Sequence, residues 1–398
     1  METLKFVMTT TFYPPYHIGG DAIHVYYLSN ELAKLGHEIH IIHNIDSYSW
    51  QRKDNPAKNY SKNYSNHDNV IVHSIKSPIG KVSPLISYIF GPPFPVTRRI
   101  NEIVHNVNAD VLHHHNIAGF GPFILKAKAP NVLYTAHDYW LVCPMNTLLR
   151  YDKTRCIPKS NCFSCSIRSN RPPQIWRRND ILKKYMKKVD SIITPSNFVR
   201  NKLQESGIQG NFITIPNFVP DPLETGIPLY NFPYFLFVGV IEEHKGILDL
   251  VNMFLNAKDE IQAKLLIVGV GSLERSIKNI IVKNGCSDKI LMVGKIDNKK
   301  TLANIYANSL ATIIPSICHE NCPLAALESL SYGTPIIVTD NGGLPELVSI
   351  SDTVIVVKNV DDLIRAIVEF GTKKKKFVEE NNSGFNRFYK DYKKILNF

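Results

Sequence analysis

LKFVMTTTFYPPYHIGGDAIHVYYLSNELAKLGHEIHIIH, residues 4–43, is the stretch whose reading decides the fold. Residues 4–9 form an apolar run that predicts a buried strand. A loop, Tyr13-Pro14-Pro15-Tyr16-His17-Ile18-Gly19-Gly20, follows. Asp21 is the expected N-cap of a helix with apolar residues at Ile23, Val25, Tyr26, Leu28, Leu32 and Leu35. Gly36 takes the position just past the helix end, where a left-handed conformation suits glycine. Residues 37–43 then read as a second strand. Strand, helix, strand within forty residues is a βαβ unit, and that unit forces a parallel sheet. Gly19 and Gly20 sit where strand gives way to helix, so backbone there approaches a phosphate or sugar closely. The full G-x-G-x-x-G spacing of a dinucleotide fold is absent from the pair.

Moving outward, residues 47–68 are polar and rich in Asn and Tyr, and are expected to be an exposed excursion. Strand signals recur at 69–75, 110–115, 131–135, 191–195 and 212–216, with helical stretches between most of them. A proline-rich, non-periodic stretch within 220–233 predicts a linker. A second run of strands follows at 234–240, 263–268, 290–295, 310–315, 335–339 and 354–357, with helices expected at 246–257, 272–284, 323–332 and 360–370. The expected fold is α/β: two doubly wound, Rossmann-like domains facing each other across a cleft. The boundaries read 1–222, a linker 223–233, 234–383, and a terminal helix 384–398. That helix carries Phe385, Phe388, Tyr389, Tyr392, Ile395 and Leu396 and is expected to pack back on the N-terminal domain.

With 398 residues, 44% hydrophobic and 20% charged, the composition is that of an ordinary globular chain long enough for two cores. No signal-peptide pattern opens the chain, and no apolar run approaches the roughly 18 residues of a membrane span, so a cytoplasmic location is expected. The net charge of +11 is uneven. Residues 150–188 hold twelve Lys or Arg against Asp152 and Asp180, and Lys373 to Lys376 form a second run. No nucleic-acid motif accompanies them, which favours an anionic membrane surface or acidic acceptor over nucleic acid; a merely solvated face is the plainer reading.

The chemistry concentrates at Glu320-Asn321-Cys322-Pro323-Leu324-Ala325-Ala326-Leu327-Glu328. A buried strand ends in a polar loop carrying Glu320, and a helix is expected to start near Cys322 or Pro323. Glu328 then lies within the helix and Glu320 at its mouth, beside free N–H groups and the positive end of the helix dipole. Lys245, after Gly239 and before Gly246, is placed to meet a diphosphate as a compact point charge. In the first half, His137 and Asp138 fall at the carboxyl end of a strand, and His113-His114-His115 ends another.

Cys143, Cys156, Cys162 and Cys165, spaced C-x12-C-x5-C-x2-C, have the ligand types of a closed tetrahedral zinc site. An iron–sulfur cluster takes the same ligands, reduced cysteines without metal are the plainer reading, and disulfides are disfavoured in a cytoplasmic chain.

Taken together, these residues resemble the retaining GT-B glycosyltransferases of family 4. Glu320 to Glu328 resembles their E-x7-E signature. Gly333-Thr334-Pro335, Gly342-Gly343-x-Pro345-Glu346, the Gly19-Gly20 loop, Ala136-His137-Asp138, Thr194-Pro195-Ser196, Ile215-Pro216-Asn217 and Gly239-x5-Lys245-Gly246 match in order over nearly the whole chain. The resemblance implies a hexosyltransferase-type enzyme moving sugar from a UDP- or GDP-linked donor to a glycan or lipid-linked acceptor. The pathway implied is cell-surface polysaccharide or glycolipid synthesis, at the inner face of the membrane. It implies catalytic roles for His137, Glu320 and Lys245. Donor contacts are implied for Gly19, Gly20, Gly239, Lys245, Asn321, Cys322, Pro323, Leu324 and Glu328, and acceptor-side roles for Asp138 and His115. No cofactor is implied for catalysis, and any zinc would be structural. One departure stands out: Val240 replaces the arginine common after the glycine, leaving Lys245 more of the diphosphate charge. An impaired nucleotide-sugar-binding partner and a nucleotide-sugar epimerase are the alternatives.

Overall fold

The computed structural model describes residues 3–52, 64–92, 96–156, 161–371 and 384–396. The chain divides into two compact units, one running to Pro216 and including the chain from Phe388, the other Asn217–Arg387.

In the first unit, among the described residues, seven parallel strands take the order β3-β2-β1-β4-β5-β6-β7. They are β1 (Lys5–Thr10), β2 (Glu38–Asn44), β3 (Val70–Ile75), β4 (Val111–His114), β5 (Asn131–Thr135), β6 (Ser191–Thr194) and β7 (Phe212–Thr214). Residues 5–10 face 38–43 on one side, while residues 6–9 face 111–114 on the other. The chain therefore reverses its winding between β1 and β4, and the crevice at their carboxyl ends is the place such a sheet binds ligands. The inner strands β1, β4 and β6 are buried on both faces, as helices on each side of a parallel sheet require. Val7, Leu112, Tyr134 and Ile192 from the sheet pack with Ile100, Ile124, Trp140 and Trp176 in one core.

Two local expectations change here. Helix Gly20–Lys34 is preceded by Gly19 at φ 84, so Asp21 stands in the first turn and is not the cap. Its carboxylate is drawn instead to Asn116, whose Nδ2 donates at 2.6 Å. The excursion expected from residue 47 begins as helix Ile45–Gln51, with Ser47 and Tyr48 buried; Asn44 accepts from Ser47 N at 3.2 Å and caps it. Residues 53–63 of that excursion lie outside the described residues.

The second unit holds six parallel strands among its described residues, ordered β10-β9-β8-β11-β12-β13. These are β8 (Tyr234–Val238), β9 (Lys264–Val268), β10 (Ile290–Gly294), β11 (Thr312–Ile314), β12 (Ile336–Thr339) and β13 (Val354–Val357). The winding reverses between β8 and β11. Phe235, Leu265, Ile267, Ile313 and Ile337 form its core with Leu250, Phe254, Ile277 and Ile367. The proline-rich segment expected as a linker is bound to this unit. Asn217 Nδ2 donates to Cys322 O at 2.8 Å, Leu223 N to the Tyr332 hydroxyl at 3.2 Å, and Leu229 N to Asn304 Oδ1 at 3.1 Å. Such bonds satisfy backbone groups that a coil would leave to water.

The terminal helix, Gly384–Ile395, counts with the first unit from Phe388 onward, where Phe388 and Tyr392 are buried. Among the described residues no helix is long and apolar enough to cross a membrane.

Candidate functional site

The second unit gathers a cation and a carboxylate at its switch point. After β8 the chain passes Gly239 and Val240, makes a short 3-10 turn over Glu243–Lys245, and enters helix Ile247–Asn256 through Gly246. Gly246 has φ 69, and a Cβ there would lie 1.9 Å from Pro315 O, so only glycine lets this turn touch the end of β11. Ile317 N and Cys318 N donate to His244 O at 3.0 and 3.2 Å, which ties the loop after β11 to the same turn. The result is an ion pair, Lys245 Nζ to Glu320 Oε1 at 2.6 Å. Ser316 Oγ donates to the same oxygen at 2.6 Å.

Burial opposes charge on both groups, yet each partner overcomes it: the Glu320 carboxylate holds Lys245 above the usual ammonium value, and Lys245 with Ser316 holds Glu320 below the usual carboxyl value. The backbone of Glu320 is fixed as well. Gly343 N donates to its carbonyl at 2.6 Å, and a Cβ on Gly342, at φ 68, would fall 2.2 Å from that oxygen.

Helix Leu324–Ser331 follows, with Pro323 as its cap residue and Asn321 and Cys322 buried just before it. Burial pushes the Cys322 thiol up to about 12, which keeps it uncharged. Glu328 lies one helix face further on and accepts from the Tyr306 hydroxyl at 3.0 Å, with Tyr332 stacked on Tyr306 at 6.1 Å. The second glycine turn supports the first: a Cβ on Gly269 would sit 1.8 Å from Gly239 O. Glu242 accepts from Ser272 N at 2.8 Å and from Ser272 Oγ at 2.6 Å. Val240 projects from this region and is 38% exposed. Ser316 and Glu242 were not singled out in the sequence, since a lone Ser and a Glu in a loop carry no spacing signal.

In the first unit a cavity of about 650 Å³ opens at the carboxyl ends of β1, β4 and β5, lined in part by Gly20, Asp21, Asn116, His137, Asp138 and Arg171. His137 Nε2 lies 3.0 Å from His115 Nδ1, so His115 stands behind His137 and does not line the cavity. Asp138 accepts from Trp140 N at 2.8 Å and from Asn146 Nδ2 at 3.0 Å. Burial raises Asp21 and pushes Asp138 up to about 7, with the Asp21 charge adding to the latter. Gly19 precedes the helix at φ 84 and Gly20 opens it.

Arg177, counted among the surface cations in the sequence, is half-buried and structural. Its guanidinium donates to Leu141 O at 3.2 Å and also to Trp140 O and Gln174 Oε1, between the rings of Trp140 and Trp176 at 5.3 and 4.5 Å. Burial brings it down to about 10. It thereby holds the loop that carries Asp138. The outer cations keep aromatic partners: Arg168 lies over Tyr151 at 4.8 Å and Arg178 over Phe163 at 4.6 Å. Lys159 and the run Lys373 to Lys376 lie outside the described residues.

No disulfide joins any of the seven cysteines. Among the described residues no group of three or more His, Cys, Asp or Glu is gathered so as to hold a metal ion, and the zinc expectation for Cys143, Cys156, Cys162 and Cys165 draws no support from this geometry. Cys162 and Cys165 share helix Cys162–Arg168, while Cys143 is buried in the core with Trp140 and Trp176.

The model of Glycosyltransferase Family 4 matches residues 18–221, and that of Glycosyl transferases group 1 matches residues 229–382. An uncharacterized glycosyltransferase of Methanocaldococcus jannaschii is 24% identical over 356 residues, covering 87% of this chain and 83% of the relative. Among solved structures, sucrose-phosphate synthase from Thermosynechococcus elongatus aligns with TM-score 0.68 at 18% identity, covering 100% of this chain and 97% of that one. Anabaena HepE in complex with UDP and glucose aligns with TM-score 0.63 at 13% identity, covering 99% and 95%. At such identities the alignments show the shared GT-B fold.

Proposed function

This chain belongs to Glycosyltransferase Family 4 and is a glycosyltransferase, and from that premise we propose that it transfers a sugar from a nucleoside-diphosphate sugar to a glycan or lipid-linked acceptor, with retention of anomeric configuration. The observation that carries the reading is the Lys245–Glu320 pair at 2.6 Å, fixed at the switch point of the second sheet.

In this reading the second unit binds the donor. The bond from the sugar's anomeric carbon to the diphosphate breaks, its electron pair leaves with the diphosphate, and an acceptor hydroxyl oxygen bonds to that carbon. Lys245, kept cationic by Glu320, meets the charge that develops on the leaving group. Glu320 accepts hydroxyls of the donor sugar, Glu328 accepts those of the ribose, and N–H groups near Asn321 to Leu324 contribute the positive end of a helix. The first unit's cavity, with Gly20, His137 and Asp138 on its wall, takes the acceptor side. HepE is described in complex with UDP, which makes UDP the first nucleotide to try.

The acceptor reading extends to an anionic membrane surface. Helix Cys162–Arg168 exposes Phe163 and Ile167 one turn apart, with Arg168 and Arg178 over neighbouring rings. Such a face pairs apolar insertion with attraction to anionic headgroups. A cell-surface polysaccharide or glycolipid made at the inner membrane face is the product this reading favours.

The test is a panel of UDP-, GDP-, ADP- and dTDP-linked sugars read by thermal stabilisation, then by transfer. A ligand at 100 times its Kd stabilises by about 2.7 kcal/mol, and one nucleotide is expected to win. No stabilisation by any of them would overturn the donor site, and stabilisation without transfer to any acceptor would favour the impaired-partner reading that Val240 invites.

A further inference from the structure

A buried chain of aromatic donors and acceptors runs from the terminal helix to His137, all of it within the first unit. The Tyr392 hydroxyl lies 2.9 Å from His113 Nδ1, and His113 Nε2 lies 2.8 Å from Thr135 Oγ1 at the end of β5. The His113 ring covers that of His115, their centroids 3.9 Å apart. His115 Nδ1 meets His137 Nε2 at 3.0 Å, and the two rings are stacked at 5.2 Å with 21° between planes. His24 closes on His137 at 5.1 Å, and Phe388 of the terminal helix covers His24 at 5.8 Å.

Burial holds His113, His115 and His137 well below the ordinary imidazole value, so these rings are neutral. Each neutral ring has one N–H and one bare nitrogen. The Tyr392 and Thr135 hydroxyls take the two ring nitrogens of His113. Between His115 and His137 a single proton is shared. His115 is fully buried, and its Nε2 has no hydrogen-bond partner. A buried N–H left without an acceptor is rarer than a bare acceptor left without a donor. Nε2 of His115 is therefore the bare nitrogen.

We propose that His115 is a positioning residue: it carries its proton on Nδ1, donates it to His137 Nε2, and so fixes His137 as the Nδ1–H tautomer. His137 is then a hydrogen-bond donor from Nδ1 and is not the group that removes the acceptor's proton. The proposal rests on the reading above in which His137 serves the transfer from the first unit's cavity.

Histidine tautomers are read by long-range proton–nitrogen spectra of the 15N-histidine protein, with His137 assigned by the signals lost in His137→Gln. The expected pattern is a protonated Nδ1 and a bare Nε2 on His137. His115→Phe removes the donor; it is expected to release the single tautomer and to lower kcat about 10-fold, while the donor KM stays within about twofold. His115→Asn, with an amide N–H at the position of Nδ1, is expected to restore both. A protonated Nε2 on His137 in the unaltered protein overturns the proposal, whether or not any variant folds. So does His115→Phe with tautomer and kcat unchanged. Wild-type transfer by His137→Gln would instead sink the role given to His137, while the spectra still judge His115.

Discussion

Glu320 and Lys245 hold each other at 2.6 Å, and each keeps the other ionised against burial. Hydrogen bonds to charged groups contribute about 1.5–3 kcal/mol. Glu320→Gln and Lys245→Ala are therefore expected to slow transfer roughly ten- to a hundredfold at saturating donor, with the fold kept by the intact backbone ties of this loop. Wild-type rates in both variants, measured alongside their melting curves, would remove the pair from the chemistry. Val240 is exposed in the loop that leads from β8 to Lys245, so Val240→Arg adds a second cation without displacing core. We expect it to tighten binding of the free nucleoside diphosphate several-fold in calorimetry, an outcome its absence would contradict. Gly246→Ala tests the turn itself. The left-handed backbone alone disfavours a side chain by about 1–2 kcal/mol, and the contact with Pro315 O at 1.9 Å adds to it. A clear fall in melting temperature is expected, and an unchanged one would mean the turn relaxes freely.

Among elements, β4 (Val111–His114) is unusual for ending in buried imidazoles. Burial pushes His24 and His114 down to about 3 and His43 to about 4. Their folded values lie below the unfolded one, so between these values and about 6.5 the unfolded chain binds more protons. Stability from these groups is thus present above roughly pH 6.5 and lost as pH falls through that window. Asp138 acts oppositely, since its carboxyl is raised to about 7 and its burial penalty grows as pH rises toward that value. The histidines outnumber it, and melting temperature should fall steeply from pH 6.5 to 4.5; a flat profile would show that these rings reach solvent. How much of this was legible differs by element. The parallel strands could be read because apolar runs and glycine stops recur along the chain. Helix Ile45–Gln51 could not, because Asn44 and Ser47 look like loop residues until one caps the other. Nor could the fate of Asp21, which depends on Asn116 from a distant part of the chain.

For the whole molecule, the +11 charge is the feature with the longest reach. Vesicles carrying anionic lipid are expected to bind the protein at low salt and release it as the Debye length shrinks below about 8 Å. Phe163→Ser with Ile167→Ser should weaken that binding while leaving nucleotide binding unchanged. No sedimentation with such vesicles at low salt would remove the membrane from the proposal.

The sequence by itself determined the α/β class, the two parallel sheets and the Glu320–Glu328 spacing, because periodicity, capping and turn residues act over a few neighbours. It also placed His137, Asp138, Gly239 and Lys245 at strand ends, where a parallel sheet puts its ligands. Only tertiary structure decided that Lys245 pairs with Glu320, that Arg177 braces the loop of Trp140 and Leu141, and that Tyr392 reaches His113. Those are contacts between residues far apart in the chain, and nothing in local spacing encodes them. Burial and the charges it brings together then set their protonation, since both depend on everything packed around a group and not on its neighbours in sequence.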